Sequence, residues 1–598
     1  MFLVARSHGR TTLHDARTRG CFGHVFHRPT RRNALQTDAS SDPSISASGA
    51  PARTVDAKYN DFLDAWDKTF MDADEEREGY WIEEVEGVVP RQMEGTIFRN
   101  GPNGFANVDH PYDADGFIAS LSFEDGRAFF RSRFVQTAER QVDRYCDRAV
   151  FRGTFLTQRD GQNFGDLHVK NTSNTNVVAY ANRLFSLWEA GQPYELDPVS
   201  LETIGIATFA GTTPRGLPFD LGNDISNTIM GSMVRFAQSL SGDEVFSSQD
   251  GLPETLTNAG GWAQTAHPSI CPNTGRFVTF AYTMRMGLPS LSDFSDLSDV
   301  SFPPMFSEIR FMEFEDPDRP PVVERTVKLR GYSFLHDFGL TERHYVIFLN
   351  PVTVDTWSMV SGEAPAAGSV RWVENKPTKI MVIPRDPAEE VRSFNIDPCF
   401  VFHHAGCFED GDDLVIDSIH YPSLPSVGKE ASPKQGLDPN AAFQSRLNRV
   451  RVSNWKSEEA AEVTVEQLFD EYLEMVSTNP AAERHRYVYG YASNFERALI
   501  GVARIDTATK QVDKWEPDDR EFLLEPIFVP KKSDVKPSGG DQPGWLVAQF
   551  IDSDNGRCGF YIFDGAAIAQ GPVARLFLRD PLPSALHGCY CPNTPRVQ

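Results

Sequence analysis

The sequence predicts an all-β fold of a closed or radial kind, such as a β-propeller. From about residue 95 onwards, short runs rich in β-branched and aromatic residues alternate with Gly, Pro, Asn and Asp turns. One unit, a turn followed by an apolar strand, recurs seven times between residues 125 and 552. A large β-sandwich fits the same pattern, so both architectures stay open at this level.

The seven units are spaced irregularly along the chain. They read DGRAFFRSRFV, ANRLFSLWE, TGRFVTFAYT, TERHYVIFL, GDDLVIDSI, ERHRYVYGY and GWLVAQFID. Each joins turn residues to a strand of about five to eight residues, which is the usual length of a strand in a globular protein.

Two segments interrupt this β pattern, at about residues 215–262 and 284–306. In the first, five apolar residues at helical spacing predict an amphipathic helix capped by Asn223 or Asp224: Ile225, Ile229, Met233, Phe236 and Leu240. The second is a long loop that carries Leu288, Leu291, Phe294 and Leu297. Long loops on β scaffolds often carry function, so we expect both to be insertions outside the strand units.

The first 55 residues differ in composition from the rest. They are rich in Arg and then in Ser and Ala, which is typical of an organelle transit peptide or of a disordered tail. A short helix follows, because Phe62, Trp66 and Phe70 lie four residues apart. The sequence thus predicts a tail over 1–55 and one domain over 56–598, and no apolar run reaches transmembrane length.

Composition narrows the class of function. The net charge of −25 argues against nucleic-acid binding and against a purely electrostatic grip on anionic lipid. The 43 phenylalanines suit either a large dry core or an apolar ligand tunnel. The eight cysteines are scattered, which indicates a reducing compartment; Cys589 and Cys591 form a lone C-x-C that indicates either a metal site, a disulfide or two buried thiols.

Ten of the 14 histidines lie beyond the N-terminal tail, and none of them shows the H-x3-H spacing of a local metal site. A metal site would have to assemble from distant strands. Four histidines lie in segments that combine turns and apolar strands: AHPSICPNTGRF at His267, FLHDFGLTERHYVIF at His336, CFVFHHAGCFEDGDDLVID at His403 and LPSALHGCYCP at His587.

These four segments resemble the metal-binding segments of the carotenoid cleavage oxygenases. Further blocks at 95–137, 171–205, 484–491 and 523–530 are similar to that family in the same order. The resemblance implies a seven-bladed β-propeller with a helical and loop dome over its metal-bearing face. The two insertions would belong to this dome.

The resemblance also implies a ligand set. His267, His336, His403 and His587 would hold one Fe(II) per chain, and His403 is chosen over His404 because the family's ligand is the first His after Phe. Neutral imidazoles leave the charge of the ion uncancelled, and four of them leave open coordination positions.

Three glutamates would orient these imidazoles from behind: Glu189, Glu474 and Glu525. Glu471 is the alternative to Glu474, because Val476 and Ser477 stand where the family has Pro-Arg. Thr175 matches a position whose side chain leans over the sixth coordination site in some relatives, or it is an ordinary β-sheet threonine. Ala114, Gly406 and the Ala585-Leu586 pair also depart from the family pattern, and they put the substrate in doubt rather than the ligands.

The implied activity is cleavage of a C=C bond of a carotenoid or apocarotenoid by O2, giving aldehyde or ketone products. Alternatives are a stilbene-cleaving or retinoid-isomerising relative, or a non-catalytic carotenoid-binding propeller. The absence of Lys between Lys68 and Lys170 disfavours the stilbene option. We expect a plastid location, with cytoplasm or mitochondrion as alternatives. Because the substrate is insoluble, we also expect apolar contact with a membrane or lipid droplet through the 225–240 helix or the 284–306 loop.

Overall fold

Seven antiparallel sheets follow one another along the chain in the computed structural model. The structure describes residues 55–73, 75–158, 163, 168–213, 219–220, 261–286, 305–425, 444–457, 460–480, 482, 484–494, 497–531 and 544–592. Each sheet has three to five main strands, and we call the sheets blades 1 to 7. Each of the seven turn-and-strand units predicted above supplies one strand to one blade, in chain order.

The strands of a blade are mostly near neighbours in sequence, except that His587–Cys591 joins blade 1 and Val85–Gly87 joins blade 7. Blade 1 has Arg77–Trp81, Arg127–Phe134, Asp115–Glu124, Gly95–Asn103 and His587–Cys591. Blade 2 has Asn176–Tyr180, Arg183–Leu187, Tyr194–Leu196 and Thr203–Ile206. Blade 3 has Phe277–Met286, Met305–Phe314 and Val323–Arg330, with the short strands Phe219–Asp220, Ala263–Gln264 and Ser269–Ile270. Blade 4 has Gly339–Leu340, His344–Leu349, Thr378–Pro384 and Arg392–Ile396.

The last three blades repeat this arrangement. Blade 5 has Phe400–Asp410, Asp413–Tyr421, Arg446–Ser453 and Glu462–Gln467. Blade 6 has Glu474–Ser477, Tyr487–Asn494, Leu499–Asp506 and Val512–Trp515. Blade 7 has Ile527–Pro530, Gly544–Asp552, Cys558–Asp564, Pro572–Phe577 and Val85–Gly87, and Glu521–Leu523 links it to blade 6 through a single residue pair.

The remaining elements lie between or beside the blades. Val352–Val354 pairs with Val370–Trp372 as a two-stranded ribbon. Over the described ranges, the helices are Val55–Asp67, Ala138–Cys146 and Thr356–Ser361, and short 3-10 turns cover Phe105–Asn107, Pro111–Asp113, Ala367–Ser369 and Ile568–Gln570. Among the described residues, these helices are all too short or too polar to cross a membrane.

Seven apolar clusters join each blade to the next, and one of them joins blade 7 back to blade 1. Phe98 and Val177 belong to the cluster between blades 1 and 2, for example, and Val547 packs with Phe117 across blades 7 and 1. The chain ends reinforce this closure, because His587–Cys591 pairs with Gly95–Asn103 in blade 1. The fold is therefore a closed seven-bladed β-propeller, as the resemblance implied, and the sandwich alternative is wrong.

The phenylalanines serve mainly as packing between blades. Phe311 of blade 3 stacks on Tyr345 of blade 4 with ring centroids 4.4 Å apart, and Phe209 stacks on Phe277 at 5.3 Å. The predicted N-terminal helix is present as Val55–Asp67, and Phe62 packs edge-on against Phe522. Phe70 lies beyond the end of this helix.

Strands of blade 3 border the two predicted insertions at about 215–262 and 284–306. Phe219–Asp220 pairs with blade 3, and Phe277–Met286 and Met305–Phe314 extend their pairing through Met286 and Met305. Strand pairing thus includes residues 219–220 of the first segment and residues 284–286 and 305–306 of the second, and the placement of both segments in a dome stays a prediction. The helix over 225–240, the apolar loop residues 288–297 and the tail over 1–54 lie outside the described residues.

Candidate metal centre

Every blade contributes one predicted site residue to the same place in the propeller. His587, Glu189, His267, His336, His403, Glu474 and Glu525 come from blades 1 to 7 in that order. Each lies on a strand, or on the segment that leads into or out of one, at the ring centre. Residues from seven different sheets can meet at one point only where the strands of all blades face a common axis.

The four predicted histidine ligands form one cluster. One ring nitrogen from each of the four lies within 4.8 Å of those of the others. The Nε2 atom of His336 is 2.9 Å from that of His267 and 3.2 Å from that of His403. Two nitrogens bound at right angles to a metal at about 2.1 Å would lie about 3.0 Å apart, so this spacing fits a shared ion.

Three of the four imidazoles are held from behind by the predicted glutamates. His403 Nδ1 is 2.7 Å from Glu474 Oε1, and His587 Nδ1 is 2.8 Å from Glu525 Oε1. His336 Nδ1 makes the same contact with Glu189 Oε2. A ring whose Nδ1–H donates to a carboxylate keeps a lone pair on Nε2, and that lone pair is what a metal binds.

This arrangement fits a cation at the centre. If Glu189 and Glu474 each accept a hydrogen bond from an Nδ1–H, the neutral rings of His336 and His403 have their Nε2 lone pairs 3.2 Å apart, facing each other. Two lone pairs at that distance repel each other unless a positive ion lies between them. The donor set of neutral imidazoles therefore fits a divalent transition metal.

Burial supports the neutral form of two ligands. It lowers the pKa of His587 to about 4 and lowers the pKa of His267 well below its ordinary value, and the neighbouring histidines add to the second effect. Burial alone would raise the pKa of Glu525, but His587 and Arg99 outweigh it and lower that pKa. The carboxylates thus stay charged while these rings stay uncharged.

The glutamates are themselves fixed by partners that sequence reasoning missed. Arg99 is 2% exposed and donates to Glu525 Oε2 at 2.8 Å, and the backbone N–H of Gly588 donates to the same oxygen at 3.0 Å. Tyr421 donates to Glu474 Oε2. The sequence offered one indication of Arg99: it stands inside the apolar run TIFRNG, and a buried charge in a strand needs a partner.

The structure separates the two histidines of the FHHAG segment. They are neighbours on one strand, so their side chains point to opposite faces. His403 joins the cluster, whereas the His404 ring packs against Phe348 with centroids 4.9 Å apart. Burial lowers the pKa of His404 to about 3.

The structure also distinguishes Glu474 from Glu471 as the partner of His403. Glu474 is 4% exposed and contacts His403. Glu471 forms an ion pair with Lys514 at 2.6 Å, and half of its side chain is exposed. The departure at Val476 and Ser477 therefore leaves the carboxylate in place.

A cavity of about 320 Å³ opens directly on the cluster. His336, His403, His587 and Thr175 line it, and aromatic and aliphatic side chains form most of the remaining wall. The aromatic ones are Phe62, Trp66, Tyr112, Phe155, Trp188, Tyr194, Tyr282, Tyr332, Phe334, Phe402, Tyr421, Tyr472 and Tyr491. Such a wall suits a flat apolar ligand and excludes bulk water from the centre. Thr175 lies just before the first strand of blade 2, and its hydroxyl is 3.4 Å from Asn174 Oδ1.

The fold and the site together define a class: β-propeller proteins that can hold a metal ion through four histidines on the propeller axis. The sequence model of the family described as retinal pigment epithelial membrane protein matches residues 70–592. The chain belongs to this family, which includes the carotenoid cleavage oxygenases.

Three relatives illustrate its range. The chain is 29% identical to apocarotenoid-15,15'-oxygenase of Synechocystis over 86% of its length and 93% of the relative. It is 26% identical to the chloroplastic carotenoid cleavage dioxygenase 7 of Oryza sativa, covering 84% of this chain and 87% of that one. It is also 26% identical to lignostilbene-α,β-dioxygenase isozyme III of Sphingomonas paucimobilis, over 84% and 92%.

A solved structure matches in fold as well. The crystal structure of cobalt-substituted Synechocystis apocarotenoid oxygenase superposes with a TM-score of 0.69 at 28% identity, covering 88% of this chain and 98% of that one. These relatives are all named as oxygenases, which supports an oxygenase at the level of the family.

Proposed function

We propose that this protein is a non-haem iron(II) dioxygenase that cleaves a C=C bond of a carotenoid or apocarotenoid with O2. The products would be two aldehydes or ketones, one oxygen atom going to each. The observation that carries the proposal is the meeting of four imidazoles at the wall of an aromatic cavity. The similarity to a Synechocystis enzyme named for apocarotenoid oxygenation supports the substrate class.

His267, His336, His403 and His587 would hold one iron(II) per chain, with Glu189, Glu474 and Glu525 orienting three of the rings. A bound iron(II) would supply the activation of O2. The chain itself would position the polyene and exclude water: the aromatic side chains of the wall hold the polyene flat and keep water away from the reacting bond. We place neither a nucleophile nor a general base in this reaction.

Thr175 is part of the proposal as a residue that narrows access to the centre. Its position in the cavity wall beside three of the histidines supports that role. Thr175→Val keeps the shape of the side chain and removes the hydroxyl, whereas Thr175→Ala removes bulk. If Thr175 acts by its bulk, only the alanine variant should change the rate of cleavage at limiting O2.

The decisive experiment combines metal content with isotope labelling. The protein is expressed in iron-supplemented cells, its iron per chain is measured, and apocarotenals are incubated with it under 18O2. We expect about one iron per chain and label in both carbonyl products, read by mass spectrometry before exchange with water. A protein that purifies without metal and binds the polyene unchanged would instead be a carotenoid-binding propeller.

The same panel should contain a hydroxystilbene and a retinyl ester. Cleavage of the stilbene in preference to every polyene would move the protein to the stilbene-cleaving branch. Isomerisation of the ester in the absence of O2 would make it an isomerase. The stilbene arm is required because a lignostilbene dioxygenase is among the relatives.

Location and lipid contact are further parts of the proposal. The composition of residues 1–55 supports import into plastids, which a fusion of this segment to a fluorescent protein would test in plant cells. An insoluble substrate supports apolar docking on a membrane or lipid droplet. In liposome co-sedimentation, the Phe236→Asp and Phe294→Asp variants should bind less than the wild-type protein, whereas raising the salt concentration should barely weaken wild-type binding. Binding of both variants at the wild-type level would contradict the docking model.

A further inference from the structure

One part of the cavity wall is polar, and the proposed chemistry does not use it. Glu139 and His168 both line the cavity, yet they are only 4% and 5% exposed. Glu139 Oε1 lies 3.6 Å from His168 Nε2. A carboxylate and an imidazole thus face a cavity that is otherwise mostly aromatic and aliphatic.

The local structure holds Glu139 in place. It lies in the first turn of the helix Ala138–Cys146, whose N-terminus is capped by Thr137. The backbone N–H of Ala138 donates to the hydroxyl of Tyr194 at 3.0 Å, which ties the start of the helix to blade 2. A carboxylate in the first turn of a helix is stabilised by the helix dipole, so the position suits a charged Glu139.

Neighbouring cations are paired with other acids. Arg140 donates to Asp115 at 2.5 Å, and Lys170 lies 2.7 Å from Asp115 and 2.9 Å from Asp143. The nearest basic side chains on the same helix and on the adjoining segment are therefore directed at Asp115 and Asp143. Glu139 is left with His168 as the one ionic partner that the described residues give it.

The second carboxylate oxygen is the unusual feature. Glu139 Oε2 is buried and accepts no hydrogen bond within the described part of the chain. The amide of Asn171 in the same wall is directed at other partners, since it donates to Gln192 O and accepts from the N–H of Ser173. A buried carboxylate oxygen without a donor is costly, and native proteins usually satisfy it with protein, water or ligand.

We infer that Glu139, with His168 beside it, binds a hydroxyl group at one end of the polyene, so that the preferred substrate is a hydroxylated carotenoid or apocarotenoid. This inference rests on the proposed function. A carboxylate accepts hydrogen bonds and cannot donate them while it is charged. An alcohol can donate to it, whereas a terminal aldehyde cannot and a terminal carboxylate would be repelled.

Such an anchor would also determine which double bond is cleaved. The hydroxyl end would be held at Glu139 while the conjugated chain extends along the same cavity to the four histidines. The distance between the two points would then select which double bond meets the centre. Loss of the anchor would allow the polyene to slide, because an aromatic wall grips every part of the chain similarly.

The test uses a pair of apocarotenals that differ only in one ring hydroxyl. For the iron-loaded protein we expect kcat/KM to favour the hydroxylated compound by about 10–100-fold, mainly through KM. Glu139→Leu should bring this ratio close to one and add products from neighbouring double bonds. Glu139→Gln should keep part of the preference, since its amide oxygen still accepts. Glu202→Gln, an exposed carboxylate in blade 2, is the matched control and should keep the full ratio.

Binding is measured separately under nitrogen, where no cleavage occurs, by quenching of tryptophan fluorescence; Trp66 and Trp188 line the cavity. The inference is overturned if the wild-type protein does not distinguish the two compounds, or if folded, iron-bearing Glu139→Leu keeps the wild-type ratio. If the hydroxylated compound binds more tightly in a Glu139-dependent way but neither compound is cleaved, the hydroxyl site stands and the proposed function fails.

Discussion

The centre depends on which ring nitrogen of each histidine carries the proton. In three rings the Nδ1–H donates a hydrogen bond to a glutamate, which leaves the Nε2 lone pair directed inward. No such carboxylate stands behind His267 among the described residues. Its backbone N–H instead donates to Thr265 Oγ1 at 3.0 Å, and that hydroxyl donates to the carbonyl of His336. The fourth ligand is thus fixed through its backbone.

His403→Ala should abolish iron binding and activity, whereas His404→Ala should keep both. The two changes remove the same imidazole from adjacent positions on one strand, so they are matched in chemistry. Only His403 reaches the cluster, while His404 packs against Phe348. Iron per chain in the folded fraction is the measurement. Retention of iron by His403→Ala would show that the ligand is assigned to the wrong neighbour.

Glu474→Gln should lower metal affinity or activity by about 10–100-fold while the protein stays folded. The neutral amide oxygen accepts a weaker hydrogen bond from the Nδ1–H of His403 than a carboxylate does. Glu471→Gln, which loses only a half-exposed ion pair with Lys514, should behave as the wild-type protein. Competition for iron against a chelator of known affinity measures the effect. Equal affinities of the two variants would contradict the orienting role.

At the scale of elements, the strand His587–Cys591 has two tasks. It closes the propeller by pairing with Gly95–Asn103, and it presents His587 at its first residue. Gly588 permits this close approach, because a Cβ there would lie 2.2 Å from the carbonyl oxygen of Phe98 and 2.9 Å from Arg99 Cδ. Closure of the ring and construction of the site therefore depend on the same contact.

Gly588→Ala should push the closing strand away from blade 1. We expect a loss of stability of at least about 1–3 kcal/mol, as for overpacking in a core, together with a loss of iron. Urea unfolding and iron content are the two measurements. Gly275→Ala is the control: this turn glycine has φ +68° with nothing within 4 Å of its Cβ, so strain there should cost stability without costing iron. Full iron content in Gly588→Ala would contradict this account.

A second contact between elements predicts a pH dependence. Glu409 lies near the end of the first strand of blade 5, and its Oε1 atom contacts blade 4. It is 2.9 Å from Nδ1 of His344, the first residue of the second strand, and 3.0 Å from Oγ1 of Thr341 in the turn before that strand. Burial alone would raise the pKa of Glu409, but the hydrogen bond and charge of His344, with Thr341 and Arg343, lower it to about 2. A lowered carboxyl pKa stabilises the fold above the unfolded pKa of about 4.3.

Glu409→Gln should therefore destabilise the protein by about 1–3 kcal/mol at pH 6. The difference from wild type should shrink as the pH falls from about 4.3 towards 2, where the wild-type carboxylate also becomes protonated. Unfolding of metal-free protein at several pH values measures this without interference from metal loss. A difference that does not depend on pH would mean that packing, rather than charge, is responsible.

At the scale of the whole molecule, the centre ties the ring together. Four ligands come from blades 1, 3, 4 and 5, and the glutamates from blades 2, 6 and 7. A bound ion would therefore connect elements more than 300 residues apart in sequence, such as His267 and His587. The unfolded chain offers no such site, so binding stabilises the folded state by mass action.

Removal of the metal should lower the thermal stability of the wild-type protein. At free metal of 100 to 1,000 times Kd, the stabilisation is about 2.7–4.1 kcal/mol, and chelation should remove it as a fall in Tm. Differential scanning calorimetry with and without chelator measures the change. His403→Ala serves as the control, because a protein that binds no metal should not respond. An unchanged wild-type Tm would contradict a metal link between the blades.

Much of this architecture was predictable from the chain. The alternation of turns and apolar strands depends only on neighbouring residues, so the seven units could be recognised in the sequence. In the structure each of them forms a strand, and the seven strands lie in separate blades. Strand pairing reaches a few residues into the predicted 284–306 insertion, because Phe277–Met286 and Met305–Phe314 pair with each other along their whole length. The four histidines were found only by resemblance, since their spacing in sequence carries no metal signature.

The sequence by itself determined the β class, the seven strand units and, through family resemblance, which histidines and glutamates to consider. Tertiary structure alone decided that seven residues from seven blades meet on one axis, that Glu474 rather than Glu471 contacts His403, and that Arg99 and Tyr421 hold the glutamates. It also showed Glu139 buried in the cavity wall. The reason is physical: strand patterns depend on neighbours within a few residues, whereas a site closed across hundreds of residues depends on the packing of the whole ring.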